Sequence, residues 1–388
     1  MTAFYHRGFA LKPDGQAWMW GSNVSGSLGD GTGDDRSSPV LVIGNHNFVE
    51  ITCGIYHSIA RKNNGEVWTW GYNALGQLGD NTKTAKNSPI LVVGDHSFVS
   101  ITGSRYSSMA LKSNGQVWSW GFNVRGGLGD NTTTDKSSPV LVVGNHSFIQ
   151  ITQYTYSSAA LKSNGSIWTW GDNSGGQLGD NTIVSKSSPV LVVGNHSFIK
   201  LSSGVSHCLA LKANGEVWAW GGNGLGQLGD NTTTNKSSPV LVVGNHSFVN
   251  IACGGNFSIA IKNSGEVWTW GGNDYGQLGD NTLESKSSPV LIVGNHSFVD
   301  INAGYFNCFS IKANGEIWTW GDNSSGQLGD NTIESKSSPI LVVGNHNFAS
   351  VKSSIGEIVW GSSDQYAEES TIKPFKENVS GIGYLIED

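Results

Sequence analysis

The stretch Lys-Ser-Ser-Pro-Val-Leu-Val-Val-Gly-Asn-His-Ser-Phe occupies residues 136–148. It recurs unchanged 50 and 100 residues later, and 150 residues later it recurs with an isoleucine in place of one valine. The motif Trp-x-Trp-Gly keeps the same spacing and occurs seven times, from 18–21 to 318–321. Such a period indicates one repeat architecture rather than several unrelated domains. We therefore assign residues 1–352 to a single repetitive domain and 353–388 to a non-repetitive C-terminal tail.

Each repeat contains four short segments with the pattern of β-strands. In one unit, Phe48–Thr52 alternates apolar and polar residues and predicts strand a, and Ser58–Lys62 predicts strand b. Asn64-Gly65 is a strong two-residue hairpin signal and leads into strand c, Glu66–Trp70. After a long polar loop, Ile90–Val93 predicts strand d. Seven such units predict an all-β fold, a seven-bladed β-propeller with four antiparallel strands per blade.

The ends of the repetitive region predict how the ring closes. The first unit starts at strand b, with residues 8–12, and has no strand a before it. A surplus strand a lies at Phe348–Lys352. We therefore expect this C-terminal strand to complete the N-terminal blade next to its strand b, which would protect both sheet edges.

Composition excludes several classes of partner. The chain of 388 residues has a net charge of −7, so no general attraction to nucleic acid is expected. No apolar run approaches the length of a membrane span, and we expect no membrane insertion. The four cysteines form no C-x-x-C pair and fall at two repeat positions, which predicts buried thiols rather than a redox site. The sequence leaves the cellular compartment undetermined.

Three motifs carry a family resemblance. They are Gly-x-x-His-Ser-x-Ala from Gly54 to Ala60, Asn-Gly-Glu-Val-Trp-Thr-Trp-Gly-x-Asn from Asn64 to Asn73, and Gly-Gln-Leu-Gly from Gly76 to Gly79. Together they resemble the regulator of chromosome condensation repeat family over residues 4–352, in its highly repetitive bacterial or phage form. The resemblance implies a seven-bladed ring and protein recognition, but no single activity, because one member is an exchange factor for a small GTPase and others are inhibitors or ligase domains. The exchange factor's basic N-terminal tail and wedge-like insertion have no counterpart here.

The tryptophans and histidines that recur in every repeat predict structure rather than chemistry. The Trp pairs, such as Trp68 and Trp70, are expected to pack between blades. One histidine recurs in each turn from strand d to strand a. These are His46, His96, His146, His196, His246, His296 and His346. Blades pack about 10 Å apart whereas zinc ligands lie about 2 Å from the metal, so we predict histidines bonded to local backbone and no metal site.

Charged residues also recur without forming a catalytic set. The element Gly79–Thr82 predicts an Asx turn, and its Asp80 is followed six residues later by Lys86, so much of the charge cancels locally. This arrangement predicts a solvated face rather than a nucleic-acid track. No nucleophile, base and orienting group stand out from the repeat. We predict no catalytic residue, no metal and no cofactor.

The repeats differ from one another mainly in two loops. Residues 53–57 and their equivalents vary from unit to unit, as does the start of the loop from strand c to strand d. In an antiparallel blade these connections emerge on the same face, so variation is expected to gather there, and Tyr, Phe, Arg and Asn on such loops are typical of a recognition surface. The predicted partner-binding residues are Tyr56, His57, Tyr72, Arg105, Tyr106, Phe122, Arg125, Tyr154, Tyr156, Asn256, Phe257, Tyr275, Tyr305 and Phe306.

These features favour a non-catalytic scaffold. It would use one face to bind a macromolecule, which is either a protein or a glycan surface. Near-identical repeats indicate recent duplication, which suits an adhesion or structural component of a phage virion or cell surface. The C-terminal tail would then dock the ring to a larger assembly. Two alternatives stay open, a guanine-nucleotide exchange factor for a small GTPase and a sugar-binding lectin with one pocket per blade. Neutral drift in the loops is the competing explanation for the variation.

Overall fold

The computed structural model describes residues 7–12, 14–94, 97–324, 326–343, 348–352 and 359–362. Over these residues the chain forms seven sheets. Six of them have four strands in sequence order, and the seventh, at the N-terminus, has five. We number these sheets as blades 1 to 7 from the N-terminus.

The strands repeat with the period of the sequence. Blade 1 contains β1 (Arg7–Leu11), β2 (Ala17–Gly21), β3 (Arg36–Leu41), β28 (Phe348–Lys352) and β29 (Val359–Ser362). Blade 2 contains β4 (Phe48–Cys53), β5 (His57–Lys62), β6 (Val67–Gly71) and β7 (Lys86–Leu91); blade 3 contains β8 (Phe98–Gly103), β9 (Ser107–Lys112), β10 (Val117–Gly121) and β11 (Lys136–Leu141). Blade 4 contains β12 (Gln150–Gln153), β13 (Ser157–Leu161), β14 (Ile167–Gly171) and β15 (Lys186–Leu191); blade 5 contains β16 (Lys200–Ser203), β17 (His207–Leu211), β18 (Val217–Gly221) and β19 (Lys236–Leu241). Blade 6 contains β20 (Phe248–Cys253), β21 (Phe257–Lys262), β22 (Val267–Gly271) and β23 (Lys286–Leu291); blade 7 contains β24 (Asp300–Ala303), β25 (Asn307–Ile311), β26 (Ile317–Gly321) and β27 (Lys336–Leu341).

The predicted all-β, seven-bladed propeller is confirmed. In blades 2 to 7 the strands pair as antiparallel neighbours in the order a, b, c, d. Strand d begins earlier than predicted, at Lys86 rather than Ile90, because a bulge between Thr69 and Gly71 shifts the register and lets Gly71 pair with Lys86. The helical content of the described residues is one short 3-10 turn, Val24–Gly26, and no helix there is long and apolar enough to cross a membrane.

The Asn-Gly hairpin between strands b and c is present as predicted. The Gly65 amide donates to the Lys62 carbonyl over 3.0 Å, which closes the turn. Gly65 has a φ of +84°, and a Cβ placed there would lie 2.7 Å from the Cα of Ser97. Only glycine combines this left-handed conformation with such a close approach to the next strand a.

The second tryptophan of the recurring pair joins neighbouring blades. Trp120 is fully buried, and its indole Nε1 donates to the carbonyl of Gln77 in blade 2 over 2.9 Å. Trp170, Trp220, Trp270 and Trp320 make the same bond to the preceding blade. A Cβ on Gly79 would lie 2.7 Å from Trp120 Nε1, which explains the second glycine of Gly-Gln-Leu-Gly. The expected role of these tryptophans in packing between blades is confirmed.

Blade 1 closes the ring by a route that differs from the expected pairing. β28 belongs to the N-terminal sheet, as predicted, and it also lies against β24 and β25 of blade 7. It does not pair with β1, however. β29 is inserted between them, antiparallel to β28 and parallel to β1, with Phe9 opposite Val359. The non-repetitive segment therefore supplies a strand of the closing blade, whereas residues 363–388 lie outside the described residues.

The four cysteines are buried in the sheets. Cys53, Cys208, Cys253 and Cys308 carry buried thiols that are not joined to one another by disulfides. Burial raises the pKa of the Cys253 thiol to about 12, even though hydrogen bonding to Ser202 opposes the shift. A neutral buried thiol is a poor nucleophile, so the predicted packing role is confirmed.

Candidate protein-binding face

The loops from strand a to b and from strand c to d adjoin each other in blades 2 to 7. In blade 2 the Tyr72 amide donates to the Tyr56 carbonyl over 2.9 Å, which ties the start of one loop to the end of the other. The loop from c to d also reaches the next blade, since the Asn81 amide donates to the Ser137 carbonyl over 2.8 Å. We call the surface formed by these loops the variable face. Its backbone is fixed by bonds within and between blades.

A buried asparagine and an Asx turn hold the longer loop in shape. The side-chain amide of Asn73 donates to the Asp80 carboxylate over 3.0 Å and its oxygen accepts from the Leu78 amide. Asp80 in turn accepts from the amide and hydroxyl of Thr82, which confirms the predicted turn. Burial alone would raise the pKa of Asp80, but the bonds from Thr82 and Asn73 and the charge of Lys86 hold it below its usual value.

Most lysine and arginine side chains at the base of these loops are paired within the chain. Lys136 lies 3.3 Å from Asp130, and the equivalent pair of Arg36 and Asp30 is 2.6 Å apart. Blades 2, 5, 6 and 7 repeat the contact at 3.3 to 4.0 Å. The expected local cancellation of charge is confirmed for these blades.

Five aromatic side chains form a continuous half-buried line across blades 2, 3 and 4. We call them the tyrosine arc; they are Tyr56, Tyr72, Tyr106, Phe122 and Tyr156. The ring centroids of Tyr56 and Tyr106 are 5.3 Å apart, those of Tyr106 and Phe122 are 6.2 Å apart, and those of Phe122 and Tyr156 are 5.4 Å apart. Tyr72 lies 6.0 Å from Tyr56. The structure thus brings together five of the predicted residues from three blades.

The two predicted arginines lie in different surroundings. The guanidinium of half-buried Arg105 stands 5.1 Å from the ring centroid of Tyr106 and 6.0 Å from that of Tyr56. Arg125 is exposed and pairs with Asp172 of blade 4 at 3.5 Å. Arg105 is therefore part of the aromatic surface, whereas Arg125 links the loops of two blades.

A second, smaller aromatic group lies across blades 6 and 7. The ring centroid of exposed Tyr275 is 4.8 Å from that of Phe306, which in turn is 4.4 Å from that of Tyr305. Asn256 of blade 6 is half-buried. The predicted residues therefore fall into two separate groups, because blade 5 places small residues such as Ser206 and Gly222 at the equivalent loop positions.

Three predicted binding residues are wrong, because their side chains are buried. His57 and Phe257 are fully enclosed at the start of strand b, where the side chain turns into the interface between blades. Tyr154 is 1 % exposed and packs in the core of blades 4 and 5 with residues such as Leu201 and Cys208. None of the three side chains can contact a partner without disrupting the packing around it.

The opposite face is formed by turns whose histidines pack on tryptophan. The ring centroid of His146 lies 4.2 Å from that of Trp168, and Lys162 lies 4.8 Å from the same indole. His46, His196, His246 and His296 make equivalent contacts. The predicted hydrogen bonds from these histidines to local backbone are not found among the described residues, and the rings contact tryptophan instead. His96 and His346 lie outside the described residues. In the part of the chain that the structure describes, no group of three His, Cys, Asp or Glu residues is placed to hold a metal.

Sequence models of known families match most of the chain. Models of the regulator of chromosome condensation (RCC1) repeat match residues 14–61, 64–111 and 114–160, and a model of the RCC1-like domain matches 143–367, more than half of the chain. The chain belongs to the RCC1 repeat family.

Solved structures share the fold of this RCC1 propeller. Human WBSCR16 has a TM-score of 0.76 at 22% identity, with 89% of this chain and 96% of that chain covered. Prp20p from Saccharomyces cerevisiae, studied for its binding to Gsp1p and histones, has a TM-score of 0.75 at 20% identity, with 93% of each chain covered. Yeast RCC1 (Prp20) bound to Kap60 has a TM-score of 0.74 at 20% identity, with 90% of this chain and 88% of that chain covered.

Sequence comparison of the repeats missed two sets of residues in this RCC1 propeller. Exposed apolar side chains stand on the c-to-d loops of blades 4, 6 and 7, namely Ile183, Val184, Leu283 and Ile333. At the repeat position of Ile183, blades 3 and 5 carry threonine instead of an apolar residue. The sequence therefore shows that this position changes between polar and apolar residues from blade to blade. These side chains extend the apolar part of the variable face beyond the arc.

The second missed set lies on strand a, away from the variable face. Lys200 bonds to Asn250, and the Asn250 amide donates to the Asp300 carboxylate over 2.8 Å, which joins blades 5, 6 and 7. Gln150 bonds to both backbone groups of Leu201 in blade 5. The expectation that variation gathers on one face is therefore incomplete. The residues on strand a also differ from blade to blade, and each makes its own contacts with the next blade.

The two buried histidines at the start of strand b in blades 2 and 5 give the RCC1 propeller a predicted pH dependence. His57 Nε2 lies 2.8 Å from the hydroxyl of Ser108, and His207 Nε2 lies 3.0 Å from that of Ser258. Burial lowers the pKa of both to about 3, and the charge of Arg7 contributes at His57. The unfolded chain takes up these protons near pH 6.5, whereas the folded chain resists until about pH 3. Stability is therefore lost as pH falls through this window, by up to about 1.4 kcal/mol per pH unit for each histidine.

Urea unfolding at several pH values between 7 and 4 checks this expectation. The matched variant is H57F/H207F, since blade 6 already carries Phe257 at the same position. We expect a shallower fall of the unfolding free energy with acid in the variant than in the wild type. Equal slopes would show that neither histidine is responsible.

Proposed function

We propose that this RCC1 propeller is a non-catalytic scaffold that binds a partner protein through its variable face. The tyrosine arc supports the proposal. Its five rings are contiguous and half-buried. Two of them begin c-to-d loops held by the Asn73-type and Asx-type bonds, and the other three stand on a-to-b loops closed by backbone bonds such as that from the Gly54 amide to the His57 carbonyl. Tyrosine supplies large contact area at a low cost in conformational entropy, which is why it is frequent among the residues that dominate binding energy.

Affinity capture with two matched triple variants tests the proposal. Y56A/Y106A/Y156A truncates the arc, and H146A/H196A/H246A removes three rings from the opposite face. Each residue of a binding centre costs about 2 kcal/mol or more on truncation, so the arc variant is expected to lose its partner from a lysate of the native source. The histidine variant should retain it. Loss through the histidine variant alone would place the interface on the other face.

We also propose that the scaffold acts in adhesion or in the structure of a virion or cell surface, which the near-identical repeats favour. An exchange assay with small GTPases loaded with fluorescent nucleotide separates this role from catalysis. We expect no acceleration of nucleotide release. Acceleration would contradict the non-catalytic proposal, and selective binding on a glycan array would favour a lectin instead.

A further inference from the structure

Arg105 carries a charge that no carboxylate neutralises among the described residues. Its guanidinium lies over the rings of Tyr56 and Tyr106, and its Nε is enclosed and has no hydrogen-bond partner among the described residues. Burial lowers its pKa, but the neighbouring tyrosines outweigh this effect and raise it, so the group is positively charged at any physiological pH. A half-buried cation without a counter-charge is less stable than a paired one, and a carboxylate of a partner can supply the missing charge.

The other four arginines of the chain differ from Arg105 in their contacts. Arg36 pairs with Asp30, Arg61 with Glu50 and Arg125 with Asp172. Arg7 is buried and donates to the carbonyls of Gly54 and Ile55 over 2.8 Å. Arg105 is therefore the arginine whose surroundings are aromatic and whose charge is left for a ligand.

Charge on the variable face is distributed unevenly around the ring. The a-to-b and c-to-d loops of blades 2 to 4, through the first residue of strand d, contain six Lys or Arg and five Asp, a net charge of +1. The same segments of blades 5 to 7 contain three Lys and seven Asp or Glu, a net charge of −4, and the c-to-d loop of blade 1 contains one Arg and three Asp, a net charge of −2. An acidic ligand is consequently repelled by one half of the face and directed to the half that holds the tyrosine arc.

We propose that Arg105 and the tyrosine arc form a docking site for an acidic segment of the partner protein. The Arg105 guanidinium pairs an aspartate or glutamate carboxylate, and the arc contacts the side chains on either side. This inference rests on the proposed function and names the chemistry of its partner. A carboxylate fits better than a phosphate, because phosphate recognition uses clusters of arginines and Arg125 is already engaged with Asp172.

Nitrogen NMR of the intact protein labelled with [15N]arginine tests the site directly. The chain contains five arginines, so the Nε region holds five signals, and the variant R105K identifies the one from Arg105. The probes are a capped short peptide of alternating aspartate and glutamate and its asparagine and glutamine counterpart. We expect the acidic peptide to shift the Arg105 signal selectively, and the neutral peptide to leave all signals in place.

Two variants of equal charge change provide the control. R105Q removes the proposed ligand-binding cation, whereas K83Q removes an exposed lysine from the same half of the variable face. R105Q is expected to weaken peptide binding at least about tenfold, as for loss of a hydrogen bond to a charged group, and K83Q is expected to weaken it much less. Thermal melting confirms that both variants are folded.

Several results would overturn the inference. The first is an equal shift of the Arg105 signal by the neutral peptide, and the second is equal weakening of peptide binding by R105Q and K83Q. The third uses an acidic oligosaccharide, oligogalacturonate, as a further probe: a shift of the Arg105 signal by this sugar but not by the acidic peptide would show that the ligand is not a protein segment. The acidic peptide can fail to bind while Y56A/Y106A/Y156A still loses the captured protein. That combination refutes the acidic chemistry and leaves the proposed function standing. Retention of the captured protein by that triple variant refutes the docking surface as well.

Discussion

Deletion of residues 348–388 is expected to open the ring and cause aggregation or a large loss of stability. The deletion removes β28 and β29 from blade 1, so that β1 becomes an unprotected sheet edge. It also removes the strand that lies against β24 and β25 of blade 7. Exposed edges of this kind pair readily with other chains. Circular dichroism melting and light scattering of the purified variant measure the effect.

Two shorter deletions show which part of the segment is required. Deleting only 371–388 leaves both strands in place and should leave the melting temperature unchanged. Deleting 353–388 removes β29 but keeps β28, and because β28 pairs with β29 rather than β1, this deletion should also destabilise the ring. Wild-type melting of the 353–388 deletion would instead support direct pairing of β28 with β1. Wild-type melting of the 348–388 deletion would remove the closure model altogether.

The substitution Trp170→Ala is expected to lower the unfolding free energy by about 3–5 kcal/mol. Trp170 is fully buried and packs with Met109, Leu111 and Phe148 across two blades, so truncation leaves a cavity that the sheets cannot fill. Its lost hydrogen bond adds little, because the Gly127 carbonyl still accepts from the Ser158 hydroxyl over 2.8 Å. Urea unfolding followed by fluorescence and circular dichroism provides the measurement.

Trp168 in the same strand is the matched control for Trp170. It is half-buried, with its indole between His146 and Lys162. The variant W168A removes the same number of atoms from a site that water already reaches, so we expect roughly half the loss or less. Equal losses from the two variants would show that burial between the blades is not what makes Trp170 important.

Most of the fold could be predicted from the sequence because the same strand and turn patterns recur in seven repeats. The period, the Asn-Gly hairpin and the Trp-x-Trp-Gly strand each set local structure that the neighbouring blades repeat. Closure of the ring could be predicted only in outline. β29 is a strand of four residues in a segment that only resembles a shortened Asn-Gly-Glu-Ile-Trp-Thr-Trp-Gly element, and its parallel pairing with β1 depends on contacts that local patterns do not specify.

The candidate site was predicted less completely because one variable loop contains both inward and outward positions. In blade 4 Tyr154 and Tyr156 are two residues apart, yet Tyr154 fills the core and Tyr156 belongs to the arc. Other blades carry glycine or serine at the position of Tyr154, which indicates a confined space. His57 and Phe257 begin strand b, whose first four residues are all buried because neighbouring blades cover both faces of the strand. Variation alone did not distinguish these positions from surface ones.

Site-specific photo-crosslinking in a lysate of the native source tests most directly whether the variable face binds a partner. A photoreactive phenylalanine analogue replaces Tyr106 in the tyrosine arc, and in a second protein it replaces His146 on the opposite face. We predict a discrete protein adduct at position 106 that is lost when Tyr56 and Tyr156 are also truncated, and none at position 146. An adduct formed at position 146 but not at position 106 would contradict the account.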